Sequence, residues 1–383
     1  MSASLANEAQ ALHQRLASRA DGVWFAPGRV NVIGEHTDYN DGFVLPLALP
    51  LGTAAAVSRR ADALVRVVSG THPETVEMSL AELAPGVPSG WAGYVAGTVW
   101  AMQAGGVDVP GLDVAVVGDV PLGAGLSSSA SLECAVALAV SDLAQAGLSR
   151  TRLAEMARHA ENDYVGMPCG VMDQMASMHG EAGHLVFLDT RTLEVEQVPF
   201  DLRRAGLTLL VVDTQAPHRL VDGEYAQRRS ACERASAALG LTALRDVSDL
   251  EATLTTLADE EMRRRVRHVV TENRRVLDVV GLLRSGADPR AVGPLLTASH
   301  ASMRDDYEIT VAEVDTAVES ALAAGAHGAR MTGGGFGGSV IALVDDADVA
   351  GVEASVTDAF AAAGFDAPSV FSTQPSAGAR RLR

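Results

Sequence analysis

Apolar positions change their spacing along this chain, and the changes divide it into elements. Leu5, Ala9, Leu12 and Leu16 recur at helical intervals and predict a helix over 3–19. Residues 43–80 alternate apolar with polar positions, which predicts strands at 54–57, 64–68 and 75–80. A helix is expected over 91–105, with Trp91, Tyr94 and Trp100 mainly as core. Residues 112–117 read as a buried strand, and 132–140, apolar on nearly every face, as a buried helix. The next helix, 151–165, carries Glu155, His159, Glu161 and Asp163, the charge pattern of a solvated face. Pro168 and Gly170 break it, and Asp173 opens another helix. Strands at 184–189, 194–199 and 207–213 give way to helical character from 222 to 323, with turns near 240, 246–250 and 285–290. A strand ending at 332, a strand at 339–344, a helix at 347–363 and a strand near 368–372 close the chain. The class is α/β (α+β). The change from strand-rich to helix-rich character near 200–220 divides the chain into two domains, 1–205 and 206–383.

The link between the buried strand and the buried helix is the small-residue loop PLGAGLSSSA, residues 121–130. Its glycines let backbone N–H groups approach a ligand closely. Its serines cap a helix start and present hydroxyls, and the helix N-terminus adds partial positive charge. The combination suits an anion, phosphate above all. A loop that only caps a core helix has the same pattern.

Composition narrows the choice. The chain has 383 residues, 48% of them apolar, enough for two domains with a large core. A net charge of −18 argues against nucleic acid or an anionic membrane as partner, since no basic surplus exists to neutralise phosphates. All 30 basic side chains are arginine, and lysine is absent. That excludes a P-loop, a Schiff-base lysine and the protein-kinase strand lysine. Any phosphate must be handled by helix dipole, backbone, metal ion and arginine. Cys134, Cys169 and Cys232 are widely spaced, with no CxxC, so a disulfide or cysteine-rich zinc site is not expected, and a reducing cytoplasm fits. Neither an apolar leader region nor a membrane-length apolar run occurs.

Two further segments carry candidate chemistry. Arg29, Asn31, Glu35, His36, Asp38, Tyr39, Asn40 and Asp41 crowd donors and acceptors into one glycine-punctuated stretch. A site gripping a polyhydroxylated ligand needs such density, because each hydroxyl wants a partner. Asn40-Asp41-Gly42 is also a hairpin-turn signal. Asp173 sits among methionines and valine, where a carboxylate is either desolvated or partnered. The glycine run at 333–338 joins two strand-like segments, which rules out a dinucleotide fingerprint but permits close backbone approach.

PLGAGLSSSAS (121–131), APGRVNVIGEHTDYNDGFVLP (26–46) and MTGGGFGGSVIAL (331–343) together resemble the three motifs of the GHMP small-molecule kinases. GEHTDY and CGVMDQ (169–174) are similar to the branch that acts on galactose. The resemblance implies a two-domain GHMP kinase fold, with an N-terminal ribosomal-S5-domain-2-like domain and a C-terminal ferredoxin-like domain. The active site would lie between them. It implies transfer of the ATP γ-phosphoryl group to the C1 hydroxyl of α-D-galactose, the first step of galactose catabolism. Glu35, His36, Asp38, Gly170, Asp173 and Tyr225 would line the galactose pocket. Gly123, Gly125, Leu126, Ser127, Ser128 and Ser129 would wrap the ATP phosphates. Ser129 and Glu161 would hold Mg²⁺, Trp91 would wall the adenine, and 333–338 would close the site. Asp173 would accept the hydroxyl proton. Arg29, the motif's only cation, would keep Asp173 ionised and offset phosphoryl charge.

Two alternatives within this resemblance are a kinase for N-acetylgalactosamine or another sugar, and a non-catalytic galactose sensor. The complete serine loop, with Asp173 and Arg29 present, favours the enzyme. Thr214-Gln-Ala-Pro-His218 stands where many galactose-specific members carry an asparagine-containing turn, which bears on tolerance for substituted sugars. Expected partners are galactose and Mg-ATP, with neither nucleic acid nor membrane. A monomer or weak homodimer in the cytoplasm is expected.

Overall fold

A computed structural model describes residues 2–216 and 221–383. The first half is built on a six-stranded sheet. Its spatial order is Arg380–Arg381, Gly22–Asn31, Pro46–Arg60, Gly111–Gly118, Leu64–Ser69 and Thr75–Ser79. The pairings are antiparallel except that between Leu64–Ser69 and Gly111–Gly118. The two-residue period of the strands assigns their side chains to opposite faces. Val23, Phe25, Ala54 and Ala56 meet Leu5, Ala6 and Ala9 of helix Ser2–His13. Trp24, Ala26, Ala55 and Val57 instead pack with the helices Trp91–Ala104, Ser128–Leu143, Arg150–His159 and Met172–His179. Small alanines along Pro46–Arg60 let both helical layers approach this central strand.

The second half carries a four-stranded antiparallel sheet, ordered Gly328–Thr332, Ser339–Asp345, Leu207–Asp213 and Ser369–Thr373. One face, with Val340 and Ala342, packs on its own helices. The other, with Leu209, Val211, Ile341 and Leu343, shares a core with Val30, Ile33, Leu47 and Leu126 of the first half. This shared core seats the 333–338 glycine turn above the end of strand Gly22–Asn31. A third sheet joins Phe43–Val44, His184–Asp189 and Glu194–Pro199.

Most expected elements appear within a few residues of their expected limits. The first helix ends at His13 rather than 19. Strand Gly22–Asn31, unpredicted because its ten residues are buried on both faces and do not alternate, is the partner of Pro46–Arg60. The backbone beyond Asn31 continues the ladder through Val32 N–H to the Leu45 carbonyl (3.2 Å) and Leu45 N–H to the Ile33 carbonyl (3.0 Å). Residues 34–43 are therefore the wide end of a hairpin. Two turns of π-helix, Ala160–Val165 and Met303–Tyr307, interrupt the helices expected as continuous; such turns recur at functional sites. The last strand, Arg380–Arg381, returns the chain end to the first sheet. Among the described residues, no helix is long and apolar enough to cross a membrane.

Candidate active site

The hairpin end, the start of helix Met172–His179 and the glycine turn enclose a cavity of about 120 Å³. Arg29, Glu35, His36, Asp38, Gly170, Asp173, Tyr225, Gly333 and Gly334 line it. Four segments far apart in sequence thus bring every residue expected at the sugar to one place.

Asp173 is the most tightly held. Arg29 grips it in a fork, Nε to Oδ1 and Nη2 to Oδ2, both at 2.7 Å. The third arm of Arg29 donates to the Gly125 carbonyl of the small-residue loop (2.7 Å). Such planar bidentate pairing fixes orientation as well as charge. Burial opposes the Arg29 charge, but Asp173 outweighs it and raises the guanidinium pKa. Ser127 Oγ also donates to Asp173 Oδ2. The serines were expected to cap the helix. Ser127 does occupy the cap position, but in left-handed backbone (φ 60°) and without a side-chain cap bond. Its hydroxyl turns to the carboxylate instead.

Asp38 lies against Gly170 so closely that a Cβ built there would sit 1.7 Å from Asp38 Oδ2. Only glycine leaves Asp38 in this position. Burial and the nearby charges of Asp173 and Glu35 push the Asp38 pKa up to about 6. Glu35 is buried and accepts from the Gly333 N–H (2.7 Å) and from Asn31 Nδ2. Burial raises its pKa against the opposing charge of Arg330, whose Nη1 lies 3.6 Å away. Arg330 is completely buried and also donates to the Asn31 and Val32 carbonyls (3.0 and 2.9 Å). Sequence reading missed it: it sits in an apolar strand and carries no motif signal beyond being charged there.

His36 has left-handed backbone (φ 60°), unusual outside glycine. Its Nδ1 is 2.6 Å from Tyr39 Oη and its Nε2 3.1 Å from the Gly334 carbonyl. Burial pushes its pKa down to about 3, so the ring is neutral. Tyr225 packs 5.2 Å from it, ring to ring, and burial holds the Tyr225 phenol well above its ordinary pKa.

On the other side of the small-residue loop lies a larger cavity, about 840 Å³, lined by Trp91, Tyr94, Thr53, Leu122, Ser128 and Ser129 among others. Trp91 stacks on His72 (5.3 Å, 20°). Gly123 has φ 76° and Gly125 φ 71°, conformations that favour glycine, and Leu126 anchors the loop in the shared core. Glu161 belongs to the first π-helical turn and is buried, against the expectation of a solvated face; Glu155, paired with Arg152, and His159, paired with Asp163, do lie on such a face. Burial raises the Glu161 pKa, while a hydrogen bond from Ser129 opposes the rise. Gln174 Nε2 donates to Glu161 (2.7 Å) and reaches Glu133 at 3.4 Å. Glu133 is fully buried, with Oε1 lacking a partner, and burial and the Glu161 charge hold its pKa well above normal. No cluster of three or more His, Cys, Asp or Glu that could hold a metal occurs among the described residues. The Ser129 and Glu161 oxygens nonetheless fit a Mg²⁺ that takes one or two protein oxygens and completes its shell with phosphate and water.

Thr214 donates to the Gly338 carbonyl through N–H (3.0 Å) and Oγ1 (2.7 Å), tying down the far end of the glycine turn. Pro217 and His218, the rest of the departure noted in sequence, lie outside the described residues.

The chain matches three family models: the galactokinase galactose-binding signature over residues 11–59, the GHMP kinases N-terminal domain over 93–181 and the GHMP kinases C-terminal domain over 279–362. It is 56% identical to a galactokinase of Streptomyces coelicolor, with 94% of each chain covered. It is 45% identical to a galactokinase of Mycobacterium tuberculosis, covering 94% of this chain and 98% of that one. Among solved structures it is similar to the Lactococcus lactis galactokinase complexed with galactose (TM-score 0.93, 33% identity, 99% of each chain). A Methanococcus jannaschii mevalonate kinase shares the fold (TM-score 0.67, 14% identity, 93% of this chain and 98% of that one).

Proposed function

This chain belongs to the galactokinase family of the GHMP kinases, and on that premise we propose that it transfers the γ-phosphoryl group of ATP to the C1 hydroxyl of α-D-galactose, giving galactose 1-phosphate and ADP. One observation carries the site assignment. Asp173, in the small polar cavity, is bonded to Arg29 and Ser127, and Ser127 adjoins the two serines that line the larger cavity. A sugar in the first cavity and a nucleotide in the second would meet at Asp173.

Phosphoryl transfer asks the protein mainly to position reactants and stabilise charge. Asp173 accepts the C1 hydroxyl proton, and Arg29 orients it and offsets charge on the moving phosphoryl group. Glu35, Asp38, Tyr225 and the Gly170 backbone hold the remaining sugar hydroxyls. The loop Gly123 to Ser129 and the N-terminus of helix Ser128–Leu143 hold the phosphates, and Trp91 walls the base. Mg²⁺, held by Ser129 and Glu161, would neutralise phosphate charge. Residues 1–205 supply the sugar loop and phosphate loop, and 206–383 the closing glycine turn. We read the protein as a cytoplasmic monomer or weak homodimer acting on galactose and Mg-ATP.

A coupled ADP-release assay with galactose tests the reading, and a sugar panel including N-acetylgalactosamine tests its specificity. Asp173→Asn and Arg29→Ala should each lower kcat by about 10²–10⁴-fold. Near-wild-type turnover in both would overturn the mechanism. Galactose binding without turnover in the wild type would favour the sensor.

A further inference from the structure

The ring of His36 meets protein groups at both nitrogens, and those contacts have a direction. The Gly334 carbonyl only accepts, so Nε2 (3.1 Å away) carries the proton of the neutral ring. Nδ1 is then bare, and Tyr39 Oη, at 2.6 Å, donates to it. The one proton of Tyr39 is thereby used. Its contact with Tyr307 Oη (2.8 Å) requires Tyr307 to donate. Tyr307 is committed in turn, so Cys232 Sγ, 3.1 Å away, donates its S–H to Tyr307. Tyr307 and Cys232 are buried.

We propose that Tyr39 and Tyr307 are positioning residues: a one-way hydrogen-bond chain from Cys232 through Tyr307 and Tyr39 fixes the tautomer of His36, whose Nε2–H holds the Gly334 carbonyl and keeps the glycine turn closed over the sugar cavity. The proposal rests on the assignment of that cavity to galactose. Three features support it. His36 keeps a left-handed backbone, a strain that persists only where surroundings over-determine it. Tyr307 is delivered by the second π-helical turn, which Arg228 pins through the Tyr307 and Glu308 carbonyls (both 2.9 Å). The glycine turn is held next to Gly334 as well, where Phe336 N–H donates to the Ile309 carbonyl (2.7 Å), two residues beyond Tyr307. The chain thus runs from the second half of the molecule into the sugar loop and back. With the opposite tautomer, Nε2 would present a lone pair to the Gly334 oxygen.

The test compares Tyr39→Phe, Tyr307→Phe, Cys232→Ser and Cys232→Ala in the full-length protein. Galactose affinity is read by calorimetry, KM for each substrate kinetically, and the His36 nitrogens by ¹⁵N NMR, assigned from the signals lost in His36→Gln. Tyr39→Phe removes the donor to Nδ1. It should weaken galactose binding roughly 5- to 150-fold, the cost of one unpaired buried polar group, while KM for ATP stays within about twofold. The Nδ1 signal should move further from a protonated value, because the bare nitrogen loses its hydrogen-bond donor while Nε2–H stays on the Gly334 carbonyl. Tyr307→Phe should act in the same direction but less, and Cys232→Ser, which keeps a donor, should match wild type more closely than Cys232→Ala. Unchanged galactose affinity and unchanged His36 signals in Tyr39→Phe would overturn the proposal. So would equal losses for galactose and ATP with a lowered melting temperature, the mark of a purely structural role. The NMR arm needs no sugar. Failure of the wild type to bind galactose would therefore sink the functional reading alone, whereas an unmoved Nδ1 signal sinks this one.

Discussion

Gly170→Ala offers a separation of function from stability that can be worked from distances. The added methyl would fall 1.7 Å from Asp38 Oδ2 and 2.2 Å from its Cγ. To reach ordinary van der Waals contact near 3.4 Å, the carboxylate must retreat by about 1.7 Å. The obstacle is the tip of a side chain, so Asp38 gives way by rotating off its rotamer at a cost of about 1 kcal/mol, and melting should fall by only a few degrees. The sugar site fares worse. A displaced Asp38 no longer accepts from the ligand, and one hydrogen bond to a charged group is worth about 1.5–3 kcal/mol, or roughly 10- to 150-fold in affinity. Steady-state kinetics should show KM for galactose raised by that factor and KM for ATP within about twofold, since Gly170 does not line the larger cavity. Calorimetry with galactose alone checks the binding term. Galactose affinity within threefold of wild type would refute the assignment of Asp38 to the sugar. A protein that fails to fold would refute the claim that Asp38 yields.

Three further outcomes follow from the same geometry. Asp38 has its folded pKa raised from 3.8 to about 6, so its charge destabilises the fold: the stability it allows is present below pH 3.8 and lost as pH rises through 6. Asp38→Asn should therefore raise the melting temperature at pH 7.5, by the equivalent of about 2–3 kcal/mol at most, and not at pH 4, while galactose binding is lost; wild-type KM for galactose should climb below pH 6. Arg330→Met takes the stronger of two opposing cations from buried Glu35, leaving Arg29, and should cost about 3–5 kcal/mol in denaturant unfolding, with partial recovery in the Arg330→Met, Glu35→Gln double variant. Trp91→Ala should raise KM for ATP without changing galactose affinity, and nucleotide should quench the fluorescence of the wild type more than that of this variant.

The pattern of apolar positions located most elements because strands and helices that bury one face must repeat with a fixed period. It failed at strand Gly22–Asn31, buried on both faces, and inside the helices broken by π-turns at 160–165 and 303–307, where no change of period marks the break. Motif chemistry made Arg29 and Asp173 legible, because their residue types are costly to bury for any bland purpose, and glycine content marked the small-residue loop at 121–130. It misjudged Ser127, whose hydroxyl serves a carboxylate 46 positions away rather than its own helix. It also passed over Arg330, Glu133, Tyr307 and Cys232.

What the sequence alone determined is therefore most of the elements, the dependence on arginine in place of lysine, and which short segments carry polar chemistry. What only the tertiary structure decided is how buried polar groups pair. Glu35 with Gly333, His36 with Gly334 and Asp173 with Ser127 join segments that a linear pattern treats as unrelated. Burial is a property of one face of one segment and is written into its periodicity. A hydrogen bond inside the core needs a donor and an acceptor from two segments, and which two meet depends on the packing of sheets across the shared core.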